Sequence, residues 1–195
     1  ALAPLPEAPG YVVGIDLGTT HCVMAASPVF DQAQTSKEAR PELYIQGILQ
    51  TTAPGQVNSI ANLPSFLYMP GQSMSETDLA LPWAQTVAHL VGSLAREYTV
   101  TTPNRAIHSA KSWLSHQQFD PKDANLPLHA AEDVDKLSAV AVCTAYLSHL
   151  QANWDYQHPQ TPLAEQSVVL TVPASFDPAA RDLTAQAAKA VGLQQ

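Results

Sequence analysis

The residues best suited to chemistry lie in one short turn near the start of the chain. The heptapeptide GIDLGTT follows three apolar residues, YVV. A glycine in such a turn lets backbone amides approach an anion, threonine hydroxyls can donate to phosphate oxygens, and an aspartate can hold Mg²⁺ through its waters. The turn is therefore a candidate phosphate and magnesium site, and a plain hairpin turn is the alternative. The residues concerned are Asp16, Gly18, Thr19, Thr20 and the adjacent His21, whose charge would make binding depend on pH.

Strands on both sides of this turn have to hold it in place. Residues 11–16 and 21–26 are apolar runs, so with the turn between them they predict a β-hairpin. Residues 43–49 (LYIQGIL) predict a third strand after the polar residues 31–40, and residues 65–68 predict a short strand. The sequence then changes, up to about residue 133, to short helical stretches that are predicted at 91–96 and 105–116.

The remainder of the chain predicts a long helix, a strand and a second helix. Apolar residues recur at helical spacing from residue 132 to 155, and residues 167–172 form a nearly continuous apolar strand of the type buried on both faces. Asp177 and Pro178 then suit the start of a helix, and Gly192 suits its end. A long helix between the hairpin and a later strand predicts a mixed sheet with a crossover connection.

Composition limits the possible partners and compartments. The 195 residues carry a formal net charge of -8 at pH 7, which argues against binding nucleic acid or acidic membranes, because both require a basic face. Cys22 and Cys143 lie far apart in apolar sequence and are expected to be reduced core residues. Residues 1–10 are rich in proline without the basic region of a signal peptide, so a flexible lead is expected. No apolar stretch predicts a membrane span, and a cytoplasmic location is the resulting expectation.

Two motifs together resemble a known family. GIDLGTT resembles the first phosphate loop of the actin, sugar-kinase and heat-shock ATPase superfamily, and VVLTVPASFDPAAR resembles the DnaK-like heat-shock protein 70 chaperones specifically. The resemblance covers residues 11–193 and implies an α/β fold: a ribonuclease H-like, actin-like ATPase lobe with a mixed sheet flanked by helices and an inserted smaller α+β subdomain. It divides the chain into a core subdomain, residues 11–57 and 134–195, and an insertion, residues 58–133.

The same resemblance assigns roles to three further residues. VGSLAR followed by AKSWL is similar to the segment that carries the family's catalytic lysine, which implies that Lys111 would reach the terminal phosphate; a solvated surface lysine is the alternative. Pro173 and Arg181 match residues that relay the nucleotide state to a substrate-binding domain, although they also suit a strand end and a helix surface. His21 and Cys22 depart from the family pattern, in which asparagine and a small polar residue usually follow the threonines. His21 is therefore either a further phosphate donor or a tolerated variation in a divergent member of the family.

The implied function is that of an ATPase chaperone. Its cofactors would be ATP or ADP with Mg²⁺, and its partners unfolded client proteins and co-chaperones. The family's second phosphate loop and adenosine pocket belong to another lobe, so this chain alone is expected to bind nucleotide weakly and to be inactive. A sugar or metabolite kinase of the same superfamily and a non-catalytic scaffold with the same fold are the alternatives; the VPASF segment argues against the kinase.

Overall fold

The computed structural model describes residues 10–29, 42–116, 119–173 and 176–193. The predicted flexible lead, apart from Gly10, and the polar residues 31–40 lie outside the described residues. The strands are β1 (Tyr11–Leu17), β2 (His21–Pro28), β3 (Tyr44–Ile45), β4 (Ile48–Ala53), β5 (Gln56–Ile60), β6 (Asn62–Pro64), β7 (Phe66–Tyr68), β8 (Leu90–Val91), β9 (Ala106–His108) and β10 (Ser167–Thr171). The helices are α1 (Glu76–Leu79), α2 (Ser93–Thr101), α3 (Ala110–Trp113), α4 (Ala139–Gln157) and α5 (Pro178–Ala190).

The largest sheet is mixed and contains the predicted hairpin. β1 and β2 pair antiparallel, and Leu17 opposite Cys22 is the last pair before the turn. β10 pairs parallel with the other side of β1, while β3 and β6 both pair antiparallel with β2. Alternate residues of the hairpin are buried and share one core with α4 and α5. A mixed sheet with a helical crossover, as the sequence predicts, is therefore confirmed.

The predicted third strand at residues 43–49 is wrong as a single element. It is divided into β3, which joins the mixed sheet, and the start of β4, which pairs with β5 in a separate hairpin. Gly47, between the two strands, uses its carbonyl oxygen as an acceptor for the side-chain amides of Asn153 and Gln157 on α4. The chain therefore passes from one sheet to the other at Gly47, where its backbone carbonyl is bound by side chains of a helix.

The long helix begins later than the sequence predicts. Residues 132–138 are not helical, and α4 starts after Ser138, whose hydroxyl accepts a hydrogen bond from the Ala141 amide at 3.0 Å. Leu137, which fits the helical spacing, instead forms a bridge with Leu126. An N-cap serine of this kind stabilises a helix start by about 1 kcal/mol, so local capping overrides the apolar periodicity here.

The last strand and helix confirm one prediction and correct another. Asp177 caps α5 by accepting the Ala180 amide at 2.7 Å, and Gly192 follows the helix end with a φ of +82°, as the sequence predicts. The expectation that residues 167–172 are buried on both faces is wrong, because Val169 in β10 is 53% exposed. β10 lies at the edge of the described sheet, and only its alternate residues pack against the core.

The middle of the chain contains more strand than the sequence predicts. The predicted helix at 91–96 is β8 followed by α2, and the predicted helix at 105–116 is β9 followed by the four residues of α3. β8, β7 and β9 form a three-stranded sheet over a small apolar cluster that also includes Leu79 and Leu94. The proposed boundary after residue 57 falls within β5, and the division into two subdomains stays a prediction.

Candidate functional site

The turn between β1 and β2 is held in a fixed shape by Ser65. The Ser65 hydroxyl donates to the Gly18 carbonyl at 2.8 Å, and its backbone amide donates to the Thr20 carbonyl at 2.9 Å. A Cβ atom at Gly18 would lie 2.0 Å from the His21 carbonyl oxygen, which is far closer than two such atoms can approach. Glycine is therefore required at this position because the turn closes directly over it.

Asp16 lies at the end of β1 with its carboxylate at the surface. The Thr171 hydroxyl, opposite Asp16 in the parallel pairing with β10, donates to its Oδ1 atom at 2.8 Å. Thr19 and Thr20 follow in the turn and are exposed, so their hydroxyls can reach a ligand in solution. The ends of β1 and β10 thus orient one carboxylate beside an exposed turn of polar residues.

Lys111 is buried, contrary to the alternative of a solvated surface lysine. It lies in α3 and is 3% exposed, with its Nζ atom 5.5 Å from the ring centroid of Phe176. Burial is the main cause that lowers the pKa of Lys111, and the Asp16 carboxylate opposes this as the leading attractive charge. The structure therefore brings the Lys111 ammonium within electrostatic reach of the Asp16 carboxylate of the GIDLGTT segment.

A strained residue fixes the start of the short helix that carries Lys111. Ser109, two residues earlier, has φ of 54° and ψ of 30°, a left-handed conformation that non-glycine residues adopt at a cost of about 1–2 kcal/mol. Strain of this kind persists only where the surrounding structure imposes it. The direction in which α3 projects Lys111 is thus set by tertiary contacts, including those of α3 with α4.

The two cysteines are free and buried, as the sequence predicts. Burial raises the pKa of Cys22 to about 11 and that of Cys143 to about 12. Both thiols therefore stay protonated at neutral pH, and they add no negative charge beside Lys111. The Cys22 Sγ atom lies 3.6 Å from the Ser65 hydroxyl, so Cys22 packs directly beneath the turn.

Pro173 and Arg181 both contact the backbone of Phe176. The Phe176 amide donates to the Pro173 carbonyl at 3.1 Å, and Arg181 Nε donates to the Phe176 carbonyl at 3.0 Å. Residues 174 and 175, between them, lie outside the described residues. These contacts place the two residues assigned to the relay around one aromatic residue, and the relay itself stays a prediction.

His21 is the first residue of β2 and is half-buried, opposite Pro64 of β6. Among the described residues, no three or more histidine, cysteine, aspartate or glutamate side chains come together as a metal site. A single carboxylate still fits Mg²⁺, which keeps several waters and usually binds through one or two carboxylates and substrate phosphates. The Asp16 carboxylate is thus compatible with a magnesium ion that binds together with a nucleotide.

Sequence reasoning missed three residues that shape this region. Thr171 and Phe176 lie within the VVLTVPASFDPAAR segment, so the motif contains them without indicating what they contact. Ser65 gives no signal, because only the fold brings it to the turn. A polar stripe on α4 was also missed, although its spacing of four residues on an apolar helix is visible in the sequence; it consists of His149, Asn153 and Gln157.

Comparison with known proteins agrees with the resemblance at a coarse level. No protein-family model matches the sequence. The chain is 28% identical to a protein described as a chaperone protein HscA homolog from Cupriavidus necator, across 99% of its length. It is 24% identical, across 98% of its length, to the chaperone protein HscA of Photorhabdus laumondii subsp. laumondii.

The chain is similar to HscA chaperones. HscA is a chaperone of the heat-shock protein 70 family. The similarity supports a relation to that family, but it does not support the DnaK-like assignment. The chain spans 27% of the length of each of these relatives. In the described residues, no helix has both the length and the apolar character needed to cross a membrane.

Proposed function

We propose that this chain is the N-terminal part of the ATPase domain of an HscA-like chaperone, and that it forms one wall of a nucleotide cleft. The observation that carries the proposal is the buried Lys111, which lies in the electrostatic environment of Asp16 and against the ring of Phe176. Sequence motifs from three distant parts of the chain contribute these residues. The similarity to HscA chaperones over nearly the whole chain supports the same assignment.

In this proposal, each residue of the turn acts on the phosphates or their metal ion. The amides around Gly18 and the hydroxyls of Thr19 and Thr20 bind phosphate oxygens, and His21 is a further possible donor. Asp16 would hold Mg²⁺ through water. The hydroxyl of Thr171 orients the Asp16 carboxylate for this task. Magnesium, when bound with the nucleotide, neutralises charge on the phosphates.

Lys111 has the catalytic role in this proposal. Its ammonium group is a fixed positive charge that orients the attacking water and offsets negative charge on the terminal phosphate. Because burial lowers the pKa of Lys111 while Asp16 favours its charged form, the ammonium depends on that carboxylate for part of its stabilisation. The Pro173 and Arg181 contacts to Phe176 support a relay from this lysine to a substrate-binding domain.

The proposal has a definite consequence for the chain by itself. Phosphoryl transfer depends on groups positioned on several sides of the phosphate, and this chain spans 27% of the relatives it matches. We therefore propose that the chain binds MgATP or MgADP weakly and hydrolyses ATP negligibly. Control of unfolded clients and binding of co-chaperones belong, in the same proposal, to the longer protein.

Calorimetric titration of the chain with MgADP and MgATP tests the phosphate site. Asp16→Ala should abolish the heat of binding, because it removes the carboxylate that holds the metal. Asp135→Asn is the matched control, since Asp135 is also exposed but lies in the loop before α4. Absence of binding by the wild-type chain at millimolar nucleotide, or equal binding by Asp16→Ala, would contradict the proposed site.

A second assay separates the chaperone hypothesis from the two alternatives, a sugar or metabolite kinase and a non-catalytic scaffold. Phosphate release from MgATP should remain at the background rate with the chain alone, and added sugars should not be phosphorylated. Transfer of phosphate to a sugar would favour the kinase. Nucleotide binding that does not depend on Asp16, Thr19 or Lys111 would favour a scaffold that retains the fold without the chemistry.

A further inference from the structure

Lys111 has an aromatic neighbour whose role is not explained by the phosphate turn or the metal, the ring of Phe176. The ammonium lies over the face of this ring, 5.5 Å from its centroid. A cation within about 6 Å of a ring centroid is attracted by the negative face of the aromatic system, and more strongly where water is excluded. Lys111 and Phe176 are 3% and 8% exposed, so little solvent is present to weaken the attraction.

The backbone of Phe176 is fixed on both sides. Its amide donates to the carbonyl of Pro173, and its carbonyl accepts from Arg181 Nε. The next residue, Asp177, caps α5 with a hydrogen bond of 2.7 Å to the Ala180 amide. The ring is thus attached to the start of a helix whose apolar face is buried in the core, so the fold determines where the ring lies.

We propose that Phe176 is the positioning residue for Lys111, and that its ring face holds the ammonium group beside the GIDLGTT turn. In this proposal Phe176 acts through Lys111, by the contact between its ring and the ammonium group. The inference rests on the proposed function for the task of the ammonium, but the contact between ring and lysine does not depend on a bound nucleotide. The other groups that act electrostatically on Lys111 are Asp16, Cys143 and Cys22, and the two thiols are neutral at neutral pH.

Two roles of the ring predict opposite results when it is removed. If the ring face attracts the ammonium, then Phe176→Leu removes a stabilisation of the charged form, and the pKa of Lys111 falls further. If the ring is only an apolar wall, then the smaller leucine admits water, and the pKa of Lys111 rises towards its ordinary value. Phe176→Tyr keeps the ring face and should preserve the wild-type value.

The measurement is an NMR pH titration of the full chain with ¹³C-labelled lysine side chains. The sequence has five lysines, and the signal of Lys111 is the one lost in Lys111→Arg. Phe176→Leu should increase the acid dissociation constant of Lys111 about tenfold, whereas Phe176→Tyr should leave it within about threefold of wild type. Phe66→Leu is the control, because the Phe66 ring packs on His108.

An unchanged or decreased dissociation constant in Phe176→Leu would overturn the inference. Circular dichroism verifies that each variant is folded, and Phe176→Met replaces Phe176→Leu if the leucine variant is not. The titration is made without nucleotide and repeated with MgADP. A tenfold effect without any binding of MgADP would leave the positioning role intact and refute the proposed function, whereas binding through Asp16 without the ring effect would refute the positioning role alone.

Discussion

The buried histidine on α4 should make the protein lose stability in mild acid. His149 is 8% exposed, its Nε2 atom donates to the Leu49 carbonyl at 2.9 Å, and its ring packs nearly perpendicular to that of Trp83. Burial lowers the pKa of His149 from 6.5 to about 4, while the hydrogen bond to Leu49 opposes the shift. The folded protein therefore keeps this imidazole neutral in a pH range where the unfolded chain protonates it.

The sign and size of the effect follow from this difference. Between pH 6.5 and 4 the unfolded state binds a proton that the folded state does not bind, so the free energy of unfolding falls as the pH falls through this window. A difference of this size in pKa, at 1.36 kcal/mol per unit, corresponds to a loss of about 3 kcal/mol at pH 4 relative to pH 7. Small domains are stable by only about 5–15 kcal/mol, so the loss should be readily measurable.

Urea unfolding, followed by circular dichroism at several pH values between 7 and 4, measures this loss. His149→Gln can keep a donor towards the Leu49 carbonyl but cannot be protonated, so its free energy of unfolding should fall by about 3 kcal/mol less than that of wild type over the same range. His129→Gln is the control, because His129 is exposed in the loop before α4. Equal losses in wild type and His149→Gln would refute the reasoning.

Two further predictions concern the turn and the thiol core. Gly18→Ala should lower the melting temperature and weaken any nucleotide binding, because the new Cβ atom would lie 2.0 Å from the His21 carbonyl oxygen. Gly14→Ala is the control, because its Cβ atom would meet nothing closer than 3.9 Å. Similar melting temperatures in the two variants would contradict the prediction. Above pH 9.0, Cys143 should lower the free energy of unfolding by about 1.4 kcal/mol per pH unit. The reason is that the thiol ionises in the unfolded chain but stays protonated in the folded protein until about pH 12. Alkaline urea titrations should therefore show a shallower loss in Cys143→Ala than in wild type, and identical slopes would exclude this cause.

Local signals in the sequence predicted the parts of the fold that local chemistry governs. The hairpin of β1 and β2 follows from apolar runs on each side of a glycine turn, and the Asp177 cap and Gly192 end follow from backbone preferences of single residues. The predictions that failed involve competition between elements. Residues 43–49 divide at Gly47, where α4 side chains bind the backbone between β3 and β4, and the sequence of those seven residues does not reveal these distant partners.

The candidate site shows the same separation. Sequence alone determined that a strand containing an aspartate is followed directly by a glycine and two threonines, because these are properties of adjacent residues. Only the tertiary structure decided that Ser65 closes the turn, that Thr171 orients Asp16, and that Lys111 lies buried against Phe176. These contacts join residues far apart in the chain, and they arise from strand register and helix packing, which depend on the whole core.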